Sequence, residues 1–367
     1  MRVVILGLSI TSAWGNGHTV TFRALSKALV TRGHEVLFLE RDTPWYRPFR
    51  DELNGAYGRI ELYEDLDALF TRFEDDVRQA DCLIQGSYVP QGVEVARWLA
   101  RTADRGCRIF YDLDTPVTLS KLENHDYEYL APELIPTFDY YLSFAGGAVL
   151  DKLAKRFKVK RPVAFWCTVD PAVHYPVQAE TRWELGYLGT YSPDRQPKLN
   201  ALLFETAAKR SRQAFVVAGP MYPETITWPP NVLRFEHVPP GQHRDFYAAQ
   251  RFTLNLTRQA MTSNGYSPST RLFEAAACGT PIISDRWQGI DQFLEPGREV
   301  LIVDSTDDVI RILRDLPEDE RTAMAARARA RILASHTAEQ RVILLERLLG
   351  YRATAQTLNN HHPQNHP

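Results

Sequence analysis

The chain of 367 residues carries 43 Lys+Arg against 45 Asp+Glu, a formal net charge of −2, and is 44% hydrophobic and 24% charged. That length exceeds one ordinary hydrophobic core, so two packed lobes are expected, and the charge balance excludes a global basic field for nucleic acid. The 17 Phe, 16 Tyr and 7 Trp exclude disorder over most of the length, the four cysteines are too scattered for a zinc knuckle or disulfide scaffold, and no apolar run of about 18 residues is present to span a membrane.

In chain order, residues 2–8 read as a buried parallel strand, because the apolar stretch is too short for a signal peptide and lacks a small-residue cleavage site. A cytoplasmic protein is therefore expected. A loop containing Gly7, Gly15 and Gly17 leads into a helix that sets Phe22, Leu25 and Leu29 on one face, with Gly33 where a left-handed cap belongs. Short apolar strands follow at 36–39, 82–84, 108–111 and 140–144, with helices such as 93–103 and 148–157 between them.

The alternation restarts near residue 185. Strands are expected at 185–190, 215–218, 232–235, 252–256 and from Pro281. Helices are expected from Gln196-Pro197, from Ser267-Pro268 to Gly279, and at 306–315, 318–334 and 338–349. The fold class is thus α/β, with two Rossmann-like doubly wound domains facing a cleft. The expected division is 1–168, a Pro-containing linker 169–184, a second domain 185–335, and a C-terminal helix 336–351 that packs back toward the first lobe. A polar tail, 352–367, reads as disordered, its His361, His362 and His366 included. Sheets of this kind bind ligands beyond the carboxyl ends of their strands, so the cleft is the expected site.

The densest run of chemistry is 264–281. Ser267 is a good N-cap, and the free N–H groups of a first helical turn favour anions. Ser269, Thr270 and Arg271 add hydroxyls and a positive fork suited to phosphate. Glu274 lies one turn further on the same face, where it suits the vicinal hydroxyls of a ribose. An ordinary capped helix with a surface Arg–Glu pair fits the spacing equally well.

The stretch Arg271-Leu272-Phe273-Glu274-Ala275-Ala276-Ala277-Cys278-Gly279-Thr280-Pro281 resembles the donor-site helix of GT-B glycosyltransferases, especially CgeB-like and related GT4-type enzymes. The resemblance implies that Glu274 binds the nucleotide ribose. Tyr266 stands where many of those enzymes carry a second glutamate for the donor sugar. The resemblance also extends along the second lobe. It implies that Gly189-Thr190-Tyr191-Ser192-Pro193-Asp194-Arg195 is the first donor loop, with Arg195 on the diphosphate and Ser192 also binding the donor. Gly219-Pro220 and His237-Val238 fall on the loops for base and ribose, and Arg258 is a second phosphate cation. Val169-Asp170-Pro171 with Pro176 echoes the interdomain linker.

The first lobe offers Gly15-Asn16-Gly17-His18 at its first strand-to-helix junction. The resemblance implies that His18 acts as base or hydrogen-bonds the reacting sugar, with Gly17 beside the acceptor; a merely polar loop histidine stays open. Asp112-Leu113-Asp114 is poor evidence for a metal. Alternation puts both carboxylates on one sheet face, so Asp114 is read as lining the acceptor side as base or ligand, with Asp112 nearby and a capping role left open. Gly146 and Gly147 form another cleft loop. Lys152, Lys155, Arg156, Lys158, Lys160 and Arg161 form either an attraction for an anionic acceptor or membrane surface, or a solvated helix face.

The expected activity is transfer of a sugar from a nucleoside-diphosphate sugar, UDP- or dTDP-linked, to an acceptor hydroxyl. No metal and no further cofactor are expected. The acceptor is a glycan, lipid, protein or small molecule and not a nucleic acid. An epimerase of the same fold, converting donor alone, and a non-catalytic nucleotide-sugar binder are the alternatives.

Overall fold

Seven parallel strands form the first sheet: β1 (Arg2–Gly7), β2 (Glu35–Arg41), β3 (Arg59–Tyr63), β4 (Cys82–Gly86), β5 (Cys107–Asp112), β6 (Tyr140–Ser143) and β7 (Pro162–Ala164), in the order β3-β2-β1-β4-β5-β6-β7. Six more, β8 (Trp183–Leu188), β9 (Phe215–Ala218), β10 (Val232–Phe235), β11 (Gln250–Asn255), β12 (Ile282–Asp285) and β13 (Leu301–Val303), form a second parallel sheet in the order β10-β9-β8-β11-β12-β13. The computed structural model describes residues 1–14, 17–51 and 53–351, so Gly15 and Asn16 of the glycine loop and the histidine-bearing tail lie outside the described residues.

Strands covered on both faces need continuous apolar runs, and the sequence supplies them. Val3, Val4, Ile5 and Leu6 are all buried, as are Phe215, Val216, Val217 and Ala218. Each sheet reverses its direction of growth beside its first strand: β1 lies between β2 and β4, and β8 between β9 and β11. At such a switch point successive loops leave in opposite directions and open a crevice at the carboxyl ends.

Two local findings differ from the sequence reading. The helix after β8 runs Gln196–Leu199, passes through a π-turn at Asn200–Phe204 and continues as Glu205–Lys209. The donor-lobe helix begins at Thr270, with Ser269 as its N-cap: the Ser269 hydroxyl accepts from the backbone N–H of Arg271 at 3.3 Å. Ser267 is therefore not the cap. It precedes Pro268, which disfavours helical backbone, and its hydroxyl donates to Gly265 O at 3.0 Å.

Several contacts tie the lobes together. Helix Ala338–Leu348 lies against the first lobe, where Glu346 accepts a two-pronged pair of bonds from Arg32 (2.9 and 2.7 Å) and faces His34 at 2.9 Å. Val169 bridges to Thr337. At the cleft floor the Gly146 N–H donates to Tyr266 O at 3.0 Å, and the Tyr266 ring fills the space a side chain at Gly147 (φ 52°) would need.

Among the described residues no helix is long and apolar enough to cross a membrane. The basic stretch at 152–161 is partly neutralised: Lys152 and Arg156 both reach Glu123, at 2.8 and 2.6 Å.

Candidate functional site

A cavity of about 300 Å³ lies between the lobes, at the carboxyl ends of both sheets. From the first lobe it is lined by Gly17, His18 and Asp114. From the second it is lined by Arg195, Gly219, Pro220, His237, Val238, Arg258, Ser267, Ser269, Thr270, Arg271 and Glu274. Each loop reaches the cavity because it leaves a strand at the crevice side.

Five residues singled out in the sequence do not line it. The Ser192 hydroxyl is taken by Asp194. Tyr266, with φ 50°, and Gly146 and Gly147 form the interlobe contact described above. Asp112 is fully buried, accepting from Thr118 Oγ1 at 2.6 Å and Tyr141 Oη at 2.5 Å. Burial raises its carboxyl to about 6 against those two hydrogen bonds. The alternation argument fails because β5 ends at Asp112 and Asp114 lies past it in a turn with φ −145° and ψ 59°.

The positive side of the cavity is built from three arginines. Arg195 is 9% exposed and donates to Thr190 O at 2.6 Å. Burial lowers its pKa, and the charges of Arg271 and Arg258 add to that; Tyr187 and Tyr222 oppose it. Arg271, 6% exposed, lies with its guanidinium carbon 4.6 Å from the Tyr187 ring centre. It bonds Leu188 O, Asn255 Oδ1 (3.2 Å) and Leu256 O (3.4 Å), which are the open carboxyl ends of β8 and β11. Like charges taken out of water in one place disfavour one another, and a bound polyanion relieves that.

Glu274 is 5% exposed and accepts from Tyr247 Oη at 3.2 Å, with His243 Nδ1 3.5 Å away. Burial alone would push its carboxyl up. The bond and charge of His243, the charge of His174 and the Tyr247 hydroxyl outweigh burial and hold it at about 2. The carboxylate is thus ionised at neutral pH and ready to accept hydroxyl protons.

Across the cavity, Asp114 Oδ2 accepts from Tyr88 Oη at 3.1 Å and pairs with Arg258 Nη1 at 3.3 Å. Burial raises the Asp114 carboxyl, against the pull of Arg258, Tyr88 and Arg195. His18 lies 5.3 Å ring to ring from Tyr88. Burial, then the positive charge of Arg258, lowers its imidazole to about 4. A neutral imidazole and the Asp114 carboxyl group therefore face the arginines, which is the arrangement a hydroxyl nucleophile needs beside a leaving anion.

Sequence reasoning missed Tyr88, Tyr247, His243 and the buried His174. Tyr247 follows His243 by one turn of helix His243–Ala248, so both reach Glu274 from one face. That pairing is the one signal the sequence held for them.

The sequence pattern of a family described as glycosyl transferase-like matches residues 195–363. No curated protein is significantly similar in sequence. Among solved structures, the sucrose-phosphate synthase of Thermosynechococcus elongatus superposes with a TM-score of 0.69 at 14% identity, covering 94% of this chain and 97% of its own. HepE of Anabaena, solved with UDP and glucose, gives 0.69 at 11% identity over 95% and 99%. An alpha-glucosyltransferase solved with UDP gives 0.69 at 12% identity over 95% and 100%, and was also solved with UDP-glucose and DNA containing an abasic site. The chain thus has the GT-B glycosyltransferase fold along nearly its whole length, and its C-terminal half carries the pattern of the glycosyl transferase-like family.

Proposed function

We propose that the protein is a glycosyltransferase that moves a sugar from a UDP- or dTDP-linked donor to an acceptor hydroxyl without a metal ion. The observation that carries this reading is the meeting in one cavity of Arg195, Arg258 and Arg271 with an ionised Glu274, opposite His18 and Asp114. The arginines neutralise the departing diphosphate, Glu274 holds the ribose hydroxyls, and Gly219, Pro220, His237 and Val238 frame the base. His18 or Asp114 takes the acceptor proton. Asp114 is paired with Arg258 in the free protein, so donor binding competes for that arginine and releases the carboxylate. UDP or UDP-glucose bound to two of the structural neighbours supports the choice of nucleotide. The net charge of −2 supports an acceptor other than a nucleic acid.

Glu274→Ala tests the donor site. Loss of a carboxylate bonded to a diol costs about 1.5–3 kcal/mol, so UDP affinity read by calorimetry should fall about 10- to 100-fold. Unchanged affinity would remove Glu274 from the site. Activity should also persist in excess chelator.

The pH profile tests the base. A base with its pKa near 4 is already deprotonated at neutral pH, so kcat/KM should be flat from neutrality downward and decline only as pH falls toward about 4. A limb near 6.5, the ordinary imidazole value, would argue against His18 in this environment.

A further inference from the structure

His174 is a polar residue buried beside the cavity wall formed by His243 and Glu274. It sits in the segment between the two sheets, 1% exposed, and among the described residues neither of its ring nitrogens has a hydrogen-bond partner. Leaving two imidazole nitrogens unsatisfied in a buried place is costly unless something occupies them. The residues it faces are informative: its ring centre is 6.2 Å from that of His243, and one ligand atom from each of His174, His243 and Glu274 lies within 4.8 Å of the others.

His243 is oriented from behind. Its Nε2 lies 3.1 Å from Val238 O and donates to it, so Nδ1 is the ring nitrogen turned toward Glu274 Oε2, 3.5 Å away. Glu274 is itself steadied by Tyr247 Oη at 3.2 Å. Backbone carbonyls behind a histidine and hydroxyls behind a carboxylate are the supports that fix metal ligands in place.

The structure assigns His174, His243 and Glu274 as a three-ligand site for a divalent ion of the zinc class. Two imidazoles and one carboxylate select Zn²⁺ or Co²⁺ over Mg²⁺, which prefers oxygen ligands. At bond lengths of about 2.0–2.2 Å, tetrahedral ligand atoms stand roughly 3.3 Å apart, so the ion draws the widest separation in by about 1.5 Å. His243 and Glu274 line the cavity, which leaves the fourth position open toward it. Glu274 is also the proposed ribose ligand. On that reading, zinc at this site and UDP exclude one another, making the ion an inhibitor of a transfer that needs no metal.

The tail histidines are a competing source of imidazole, so the test uses the full chain with His361, His362 and His366 replaced by Ala. Titrated with Zn²⁺ in the absence of nucleotide, this protein should bind one equivalent. His174→Ala should weaken that binding at least about tenfold, with His174→Asn as a variant of closer size and melting curves to establish folding. Co²⁺ in place of Zn²⁺ should give the visible absorption of a four-coordinate nitrogen–oxygen site, lost in the same variants. No bound equivalent, or binding unchanged by both His174 substitutions in folded protein, overturns the site. UDP affinity with and without saturating Zn²⁺ reads the exclusion: at least about a tenfold loss is expected, and no change overturns it. Glu274→Ala measured without zinc reports the ribose role alone, so its failure is seen separately.

Discussion

Arg271→Ala should lower kcat/KM by about 10²- to 10³-fold, the loss typical of removing one fixed donor aimed at a developing anion. The side chain is 6% exposed and sits on Tyr187, so its charge acts through little water. It also closes the carboxyl ends of β8 and β11 through Leu188 O, Leu256 O and Asn255 Oδ1. Alanine leaves those buried acceptors unpaired, which costs about 1–3 kcal/mol for each one water does not reach, so the melting temperature should fall as well. Arg271→Lys separates the two effects. Lysine restores a positive charge but, as a single point donor, cannot bond both strand ends. The expected order for UDP affinity is wild type, then Lys, then Ala, with both variants less stable than wild type. Full activity in folded Arg271→Ala would leave the diphosphate to Arg195 and Arg258 alone.

The second lobe was the more legible half, for a physical reason. Its donor loops each follow a short apolar strand, and their order along the chain is the order in which a doubly wound sheet presents them at the crevice. The resemblance to the GT-B donor loops could therefore place Gly189 to Arg195, Gly219-Pro220, His237-Val238 and Arg258 in that order, and of the residues singled out in these loops all but Ser192 reach the cavity. Tyr266 was misplaced because its positive φ, which turns the ring onto Gly147, leaves no mark in composition. The edge strand Arg59–Tyr63 was illegible because only Tyr63 in it is buried, so no apolar run announces it. The helices Leu66–Arg72 and Glu74–Gln79 bury one residue each, and Glu74–Gln79 is polar but for Val77. Asp112 and Asp114 looked alike in sequence and differ in structure because a strand ends between them. His174 carried no signal, since no spacing links a residue between the sheets to one on a helix beyond β10.

Gly219→Ala should destabilise the donor lobe by about 2–4 kcal/mol, a drop of roughly 3–5 °C in melting temperature for a chain of this size. Gly219 has φ 147°, a conformation that L side chains rarely adopt, and a Cβ there would run into the carbonyl of Gly189 and stand 3.0 Å from Thr190 N. These obstacles are backbone atoms at the switch point, where the loops after β8 and β9 cross. They are held there by Gly189 N–H to Ala218 O (2.8 Å) and Gly219 N–H to Phe235 O (2.9 Å), so no side-chain rotation relieves the collision. Relief requires moving the Gly189 loop, and that loop carries Thr190, whose carbonyl accepts from Arg195 at 2.6 Å. The substitution should therefore weaken UDP binding as well as stability, although it removes no polar group. Gly241→Ala is the matched control, because a Cβ at that position meets nothing within 4 Å. Melting curves and UDP titrations on the pair decide the matter: equal values for the two variants would mean that the loops at the switch point do not cross as closely as the fold requires.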